Sequence, residues 1–331
     1  MPPIEGRARI ELPPRKPKGQ REQASENSIE RRPAKEYAQE LNLMMGKISA
    51  EVNQELKEKH ASNVDILDKN ATINISAFSA ENGGPYSPDE IAGDQKVVHD
   101  KEMEFSGADD ADLRALRIKE YKIDTAGLSE EQINQKIIEK FKRLQSEGKS
   151  GLLEMAVTGL LHKVLKSEYI VVRSSTFDDF EHGADNLIID KVTGQVVCAF
   201  DEVHGEETDS RIAEKKKKLL RKARQGGSRI KHGLSLQTDE KDPQKKNLVR
   251  STLYNVPSLY LALDSDTLTK LLNNMDYDPS STPNKTELHV FDQLMTLVES
   301  EITSISKESK DVSSFKTALN RMRETRSKIT V

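Results

Sequence analysis

The stretch Gly183-Ala184-Asp185-Asn186-Leu187-Ile188-Ile189-Asp190-Lys191-Val192-Thr193-Gly194-Gln195-Val196-Val197-Cys198-Ala199-Phe200-Asp201-Glu202 decides the fold. Two short apolar runs rich in β-branched residues flank a polar tetrapeptide. Runs of that length read as strands, and Gly194 suits the positive φ of a tight turn. The spacing predicts an antiparallel hairpin with strands over 186–190 and 195–200.

Working upstream, Tyr169-Ile170-Val171-Val172-Arg173 reads as a further strand. Before it, Leu152, Leu153, Met155, Ala156, Leu160, Leu161, Val164 and Leu165 mark a strongly apolar helix. Downstream, residues 210 to about 224 form a very basic helix that Gly226-Gly227 stops. A polar stretch with Pro243 follows, and then Ser258-Leu259-Tyr260-Leu261-Ala262-Leu263 reads as a fourth strand. The predicted order is helix, three strands, helix, strand, which is an α/β fold.

The flanks are plainer. The chain has 331 residues, of which 35% are hydrophobic and 32% charged. Globular chains usually have about 45–50% apolar residues, so part of this one is expected outside any core. Residues 1–35 are rich in Pro, Arg, Lys and Glu and read as a disordered tail. Tyr37, Leu41, Met44, Met45, Ile48, Val52 and Leu56 make the stripe of a helix over 36–60. Residues 61–106 are polar, with Gly83-Gly84-Pro85 as a breaker, and are expected to be an irregular linker. Ser129 with Gln132 forms a capping box, opening a helix that ends near Gly148. The α/β domain is expected over 107–275, with C-terminal helices over 276–331.

A single cysteine, Cys198, excludes an internal disulfide framework and a Cys-rich zinc site, and fits a reducing compartment. No apolar run approaches the ~18–20 residues of a membrane span. The start, Met1-Pro2-Pro3-Ile4-Glu5-Gly6-Arg7, lacks the apolar stretch of a secretory signal. The expectation is a soluble, cytoplasmic protein with no membrane partner. Net charge is -4, but what matters for nucleic acid is where the charge sits. From Arg211 to Lys231 there are ten Lys and Arg against one acid, Glu214.

Acids gather at the strand ends. Glu154 lies in the apolar helix, Asp185 opens the second strand, and Asp201 and Glu202 close the third. The hairpin brings Asp185 and Asp201-Glu202 to one end of the sheet. Carboxylates held that close repel, and Mg²⁺ or Mn²⁺ is the usual compensation. By contrast, Asp178-Asp179 reads as turn chemistry, and Cys198 as core. His162, His182, His204 and His232 lack the spacing of a HExxH site and read as structural or exposed.

This order of elements and acids resembles the PD-(D/E)XK nuclease superfamily, over about residues 145–265. The resemblance implies a restriction-endonuclease-like core with flanking helices and a Mg- or Mn-dependent nuclease. It implies metal on Glu154, Asp185 and Asp201, assisted by Glu202. The superfamily's Lys, two residues beyond the acid, is here Val203, or His204 if Glu202 is the acid. Some members recruit a Lys from the following helix, which points to Lys215. Lys216, Lys217, Arg221, Lys222, Arg229 and Lys231 would then lie along the phosphate backbone, a sequence-independent contact. Two other readings stay open. One is a catalytically inactive nucleic-acid-binding or scaffold protein on the same fold. The other is an adaptor whose end helices dock protein partners.

Overall fold

The computed structural model describes residues 32–204, 225–306 and 313–329, with the pairs 213–214, 217–218 and 221–222. Residues 1–31 of the expected tail, Lys215 and Lys216 lie outside the described residues, as does much of the expected basic helix; residues 34 and 35, expected in the tail, already belong to the first helix.

The chain is mixed α/β. In order it runs α1 (Ala34–His60), α2 (Pro88–Ser106), α3 (Ala111–Tyr121), α4 (Glu130–Ser146), α5 (Lys149–Leu165), β1 (Tyr169–Arg173), α6 (Thr176–His182), β2 (Asn186–Asp190) and β3 (Val196–His204). Then come β4 (Ser228–Thr238), β5 (Lys246–Val256), β6 (Ser258–Leu263), α7 (Ser265–Asn274), α8 (Lys285–Ser306) and α9 (Ser313–Ser327). One sheet has four strands in the order β1-β2-β3-β6. The first two pairings are antiparallel, from Tyr169↔Asp190 to Arg173↔Asn186 and from Asn186↔Phe200 onward. β3 pairs with β6 in parallel, from Ala199↔Ser258 to His204↔Leu263. This ladder carries β3 two residues past Asp201-Glu202, where the sequence alone predicts its end.

The predicted hairpin forms, with Gly194 at φ 77° and its N–H on the Asp190 carbonyl at 2.7 Å. Helix α5 is apolar nearly all round, as a helix buried between layers must be, and lies between the sheet and α1. The whole predicted stripe of α1 is buried. One apolar core runs from Leu41 and Met44 through Leu160, Ile188 and Leu261 to Phe291 and Leu319. The end helices therefore join the core rather than standing apart. The Ser129–Gln132 capping box opens α4 as expected. A small satellite cluster of Ala108, Ile137 and Ile138 holds α4 to the chain that follows α2.

Two segments differ from expectation. Residues 61–106 are not an irregular linker. They contain α2, opened by a Ser87–Glu90 capping box, and they bury Ile66, Ile73 and Phe78. The reason is a long-range polar tie. Asn53 of α1 accepts from the N–H groups of Ile66 and Leu67, each at 2.9 Å, and donates to Leu67 O at 2.9 Å. The expected polar stretch around Pro243 is instead the long β4–β5 hairpin. β5 is half-buried along most of its length, so it lacks the apolar alternation that marks a strand with one face in a core.

Among the described residues, no helix is long and apolar enough to cross a membrane.

Candidate functional site

Strand pairing builds the site. Arg173 ends β1 opposite Asn186 at the start of β2, so the two side chains share the sheet face that α5 covers. Glu154 of α5 accepts a hydrogen bond from Arg173 Nη2 at 2.9 Å. One helical turn on, Thr158 Oγ1 donates to Asn186 Oδ1 at 3.0 Å. Asn186 Nδ2 in turn donates to Glu202 Oε1 at 2.9 Å. A continuous polar chain thus crosses from helix to third strand in an otherwise apolar layer.

Asp185 sits at the centre. Its N–H donates to Phe200 O at 2.7 Å, continuing the β2–β3 ladder one residue beyond the strand. Its Oδ2 accepts from the Glu202 N–H at 2.6 Å. The carboxyls of Asp179 and Glu202 both lie against it. Burial pushes both of them well above the ordinary carboxylate range, and the Asp185 charge pushes further in the same direction. Glu202 Oε2 is buried with no donor facing it. A hydrogen bond to Asp185 forms there only when one of the two carboxyls carries a proton, because two carboxylates only accept.

Asp179 belongs to this cluster, against the expectation of a turn residue. Ser175 caps α6 by accepting from the Asp178 N–H at 3.1 Å. Gly183, at φ 57°, ends the helix with its N–H on Asp179 O. One short turn therefore folds Asp179 back over Asp185. The sequence signal was there in Ser175-x-x-Asp178 followed by a C-cap glycine.

Asp201 does not share the face of Glu202, since successive strand residues point to opposite sides. It faces Gly183 instead. A Cβ placed there would lie 3.7 Å from Asp201 Oδ2 and 3.8 Å from Lys222 Nζ. Lys222 reaches over Gly183 and donates to the His182 carbonyl at the C-terminal end of α6. Glu202, on the Asn186 face, brings its carboxyl against Asp185. The residue two beyond Glu202 on the same face, His204, bonds Ser265 Oγ at 3.1 Å, and Lys149 donates to that same hydroxyl at 2.9 Å.

The expected metal trio of Glu154, Asp185 and Asp201 does not assemble. Arg173 holds Glu154, and Asp201 lies on the face of β3 opposite Glu202. Among the described residues, no group of three or more His, Cys, Asp or Glu side chains is arranged to hold a metal ion. The acids that do crowd together are Asp185, Glu202 and Asp179, with the Glu154 charge reaching the last two.

Of the expected phosphate contacts, Lys217 and Arg221 are exposed, and Arg229 is exposed with its guanidinium 5.8 Å from the Tyr254 ring centre. Lys231 points inward. Its Nζ bonds Asp94 at 2.6 Å and lies 5.3 Å from the ring centres of Tyr86 and Phe177. The backbone draws it in: Asp178 accepts from the N–H groups of Lys231 and His232 at 2.7 and 2.9 Å. His232 is fully buried between Asp178, at 3.4 Å, and Asp94, at 3.2 Å, with Ser175 Oγ at 3.0 Å. Serine, histidine and both acids are closed to solvent, so this group clamps α2, α6 and β4 together rather than reaching a substrate.

Compared with family models, curated proteins and solved structures, the chain matches none.

Proposed function

We propose that this chain is a metal-dependent phosphodiesterase acting on nucleic acid, with a core like that of the PD-(D/E)XK nucleases. The observation that carries the reading is Asp185 pressed between Asp179 and Glu202, each holding its proton well above the ordinary range. Such a cluster is destabilised by its own charge and gains when a cation replaces the protons. Mg²⁺ is commonly held by one or two carboxylates, completed by water and substrate phosphate. Asp185 and the orphaned Glu202 Oε2 suit that donor set, and they would hold the ion. When bound, the ion supplies charge neutralisation at a phosphoryl oxygen and a more acidic water.

The strand order β1-β2-β3-β6, with its parallel last pair, supports the resemblance in topology. The missing strand Lys is answered by Lys222, which arrives from the segment after β3, as expected of Lys215. Its ammonium lies beside Asp201 and Gly183, two residues from Asp185 along the chain, and is bonded to the His182 carbonyl. Arg173 keeps Glu154 oriented. The buried Cys198, its thiol pushed up by burial, suits the reducing conditions of a cytoplasmic protein.

The test is incubation of the full chain with plasmid and with single-stranded DNA in Mn²⁺. Cleavage by wild type and loss by at least about a hundredfold in Asp185→Asn are expected, the scale on which single charge-stabilising groups act. Cleavage equal in the two proteins overturns the reading. One observation favours a binding protein without catalysis: Glu154 is neutralised by Arg173 rather than free for metal. Nucleic-acid binding without cleavage in either Mn²⁺ or Mg²⁺ selects that alternative.

A further inference from the structure

The β4–β5 hairpin carries a feature that its packing does not require. Ser228 pairs with Val256 and Ile230 with Leu253. Arg229 therefore stands opposite two residues, Tyr254 and Asn255, which makes a β-bulge. Asn255 takes φ 58°, a conformation that costs energy for any residue with a Cβ. Bulges re-aim side chains, and this one turns Tyr254 out of the hairpin. Tyr254 is 66% exposed, with the Arg229 guanidinium over its ring.

The bulge is held rigidly. Gly226 and Gly227, at φ 94° and 123°, pack directly on it. A Cβ on Gly227 would come within 2.6 Å of the Asn255 carbonyl carbon. Ser258 Oγ donates to Ser228 Oγ at 2.6 Å, tying the base of the hairpin to the central sheet. The Gly227 N–H donates to Lys222 O at 2.9 Å. Lys222 in turn extends to Gly183, beside Asp201. Lys222 also donates to the His182 carbonyl at the C-terminal end of α6. An exposed tyrosine and a guanidinium thus stand together on the bulge, and the glycines packed on it lead back to Lys222 beside Gly183 and Asp201.

We propose that Tyr254 and Arg229 form a stacking platform for an unpaired base, so that the substrate is a nucleic-acid strand with exposed bases rather than a closed duplex. The proposal rests on the nucleic-acid reading above and adds the form of the substrate. An aromatic face accepts any base, whereas a duplex keeps its base faces stacked on each other and offers only edges and phosphates. Arg229 serves the same strand twice, through its planar face and through its charge. Lys217 and Arg221, exposed on the preceding segment, follow the backbone.

The experiment is fluorescence anisotropy with the full chain in EDTA, where no cleavage occurs. The probes are labelled oligodeoxythymidine and a blunt duplex of the same length. Wild type is expected to prefer the single strand. Tyr254→Ala is expected to weaken the single strand by about tenfold and the duplex by less than about twofold, while Tyr254→Phe binds as wild type. Unchanged single-strand affinity in Tyr254→Ala, or equal loss on both probes, overturns the proposal. The two readings fail separately. Selective single-strand binding without cleavage in Mn²⁺ sinks only the hydrolase. Cleavage that is indifferent to strandedness and to Tyr254 sinks only the platform.

Discussion

Glu202 donates its backbone N–H to Asp185 Oδ2 at 2.6 Å while its own buried carboxyl, held by Asn186 at 2.9 Å, lies against the same aspartate. The backbone attracts Asp185 and the side chain repels it. The backbone bond keeps two acids together where like charge alone would drive them apart, and burial makes their protonation a property of the fold.

The first prediction concerns pH. Glu202 and Asp179 are raised above their ordinary values of 4.5 and 3.8. The folded state therefore binds these protons more tightly than the unfolded chain does. Their contribution to stability is complete below those ordinary values and declines as pH rises towards the raised folded ones. Urea denaturation between about pH 5 and pH 8 should show this decline in wild type and a flatter profile in Asp185→Asn. At about pH 8, Mn²⁺ should raise the wild-type midpoint and leave that of Asp185→Asn unmoved. The gain should shrink at about pH 5, where protons compete with metal. Identical profiles in the two proteins would remove the charge cluster as their cause.

A second prediction separates charge from hydrogen bonding at Glu202. Glu202→Gln keeps the acceptor for Asn186 and gains a donor towards Asp185. It should fold as stably as wild type or better by about 1 kcal/mol near pH 8, while losing Mn²⁺ binding in calorimetry. Glu202→Ala strands the Asn186 amide and should cost about 1–3 kcal/mol. If the Gln variant is less stable than wild type near pH 8, the carboxyl is ionised and satisfied in the fold, and the assignment of its proton is wrong.

The third lies away from the site. Lys163 of α5 and Glu287 of α8 form a fully buried ion pair at 2.6 Å, and Lys163 also donates to Asp276 O at 3.0 Å. Lys163→Met alone leaves a buried carboxylate uncompensated and should cost about 3–5 kcal/mol. Pairing it with Glu287→Leu should recover most of that loss, because two well-packed apolar groups replace two charges. Chemical denaturation of both single variants and the double variant measures the coupling. Strictly additive losses would mean that the two side chains act independently.

Local pattern alone made much of this protein legible. The hairpin around Gly194, the apolar faces of α1 and α5 and the Ser129 capping box follow from spacings within a few residues, because a turn or a helix face is a short-range object. So did the gathering of acids at one end of β2 and β3. Which acid enters the cluster was decided elsewhere. Both faces of β3 are buried from Cys198 to Phe200, so no polar alternation marks whether Asp201 or Glu202 looks towards α5. The ladders with β2 and β6 set that parity. Asp179 joins through a capped turn, Lys222 from the segment after β3, and Lys231 is withdrawn by a carboxylate fifty-three residues earlier in the chain. Sequence specified the elements and their chemistry. Non-local pairing and the burial of charge chose the partners, because a strand's register and a carboxylate's proton both depend on what the rest of the chain places beside them.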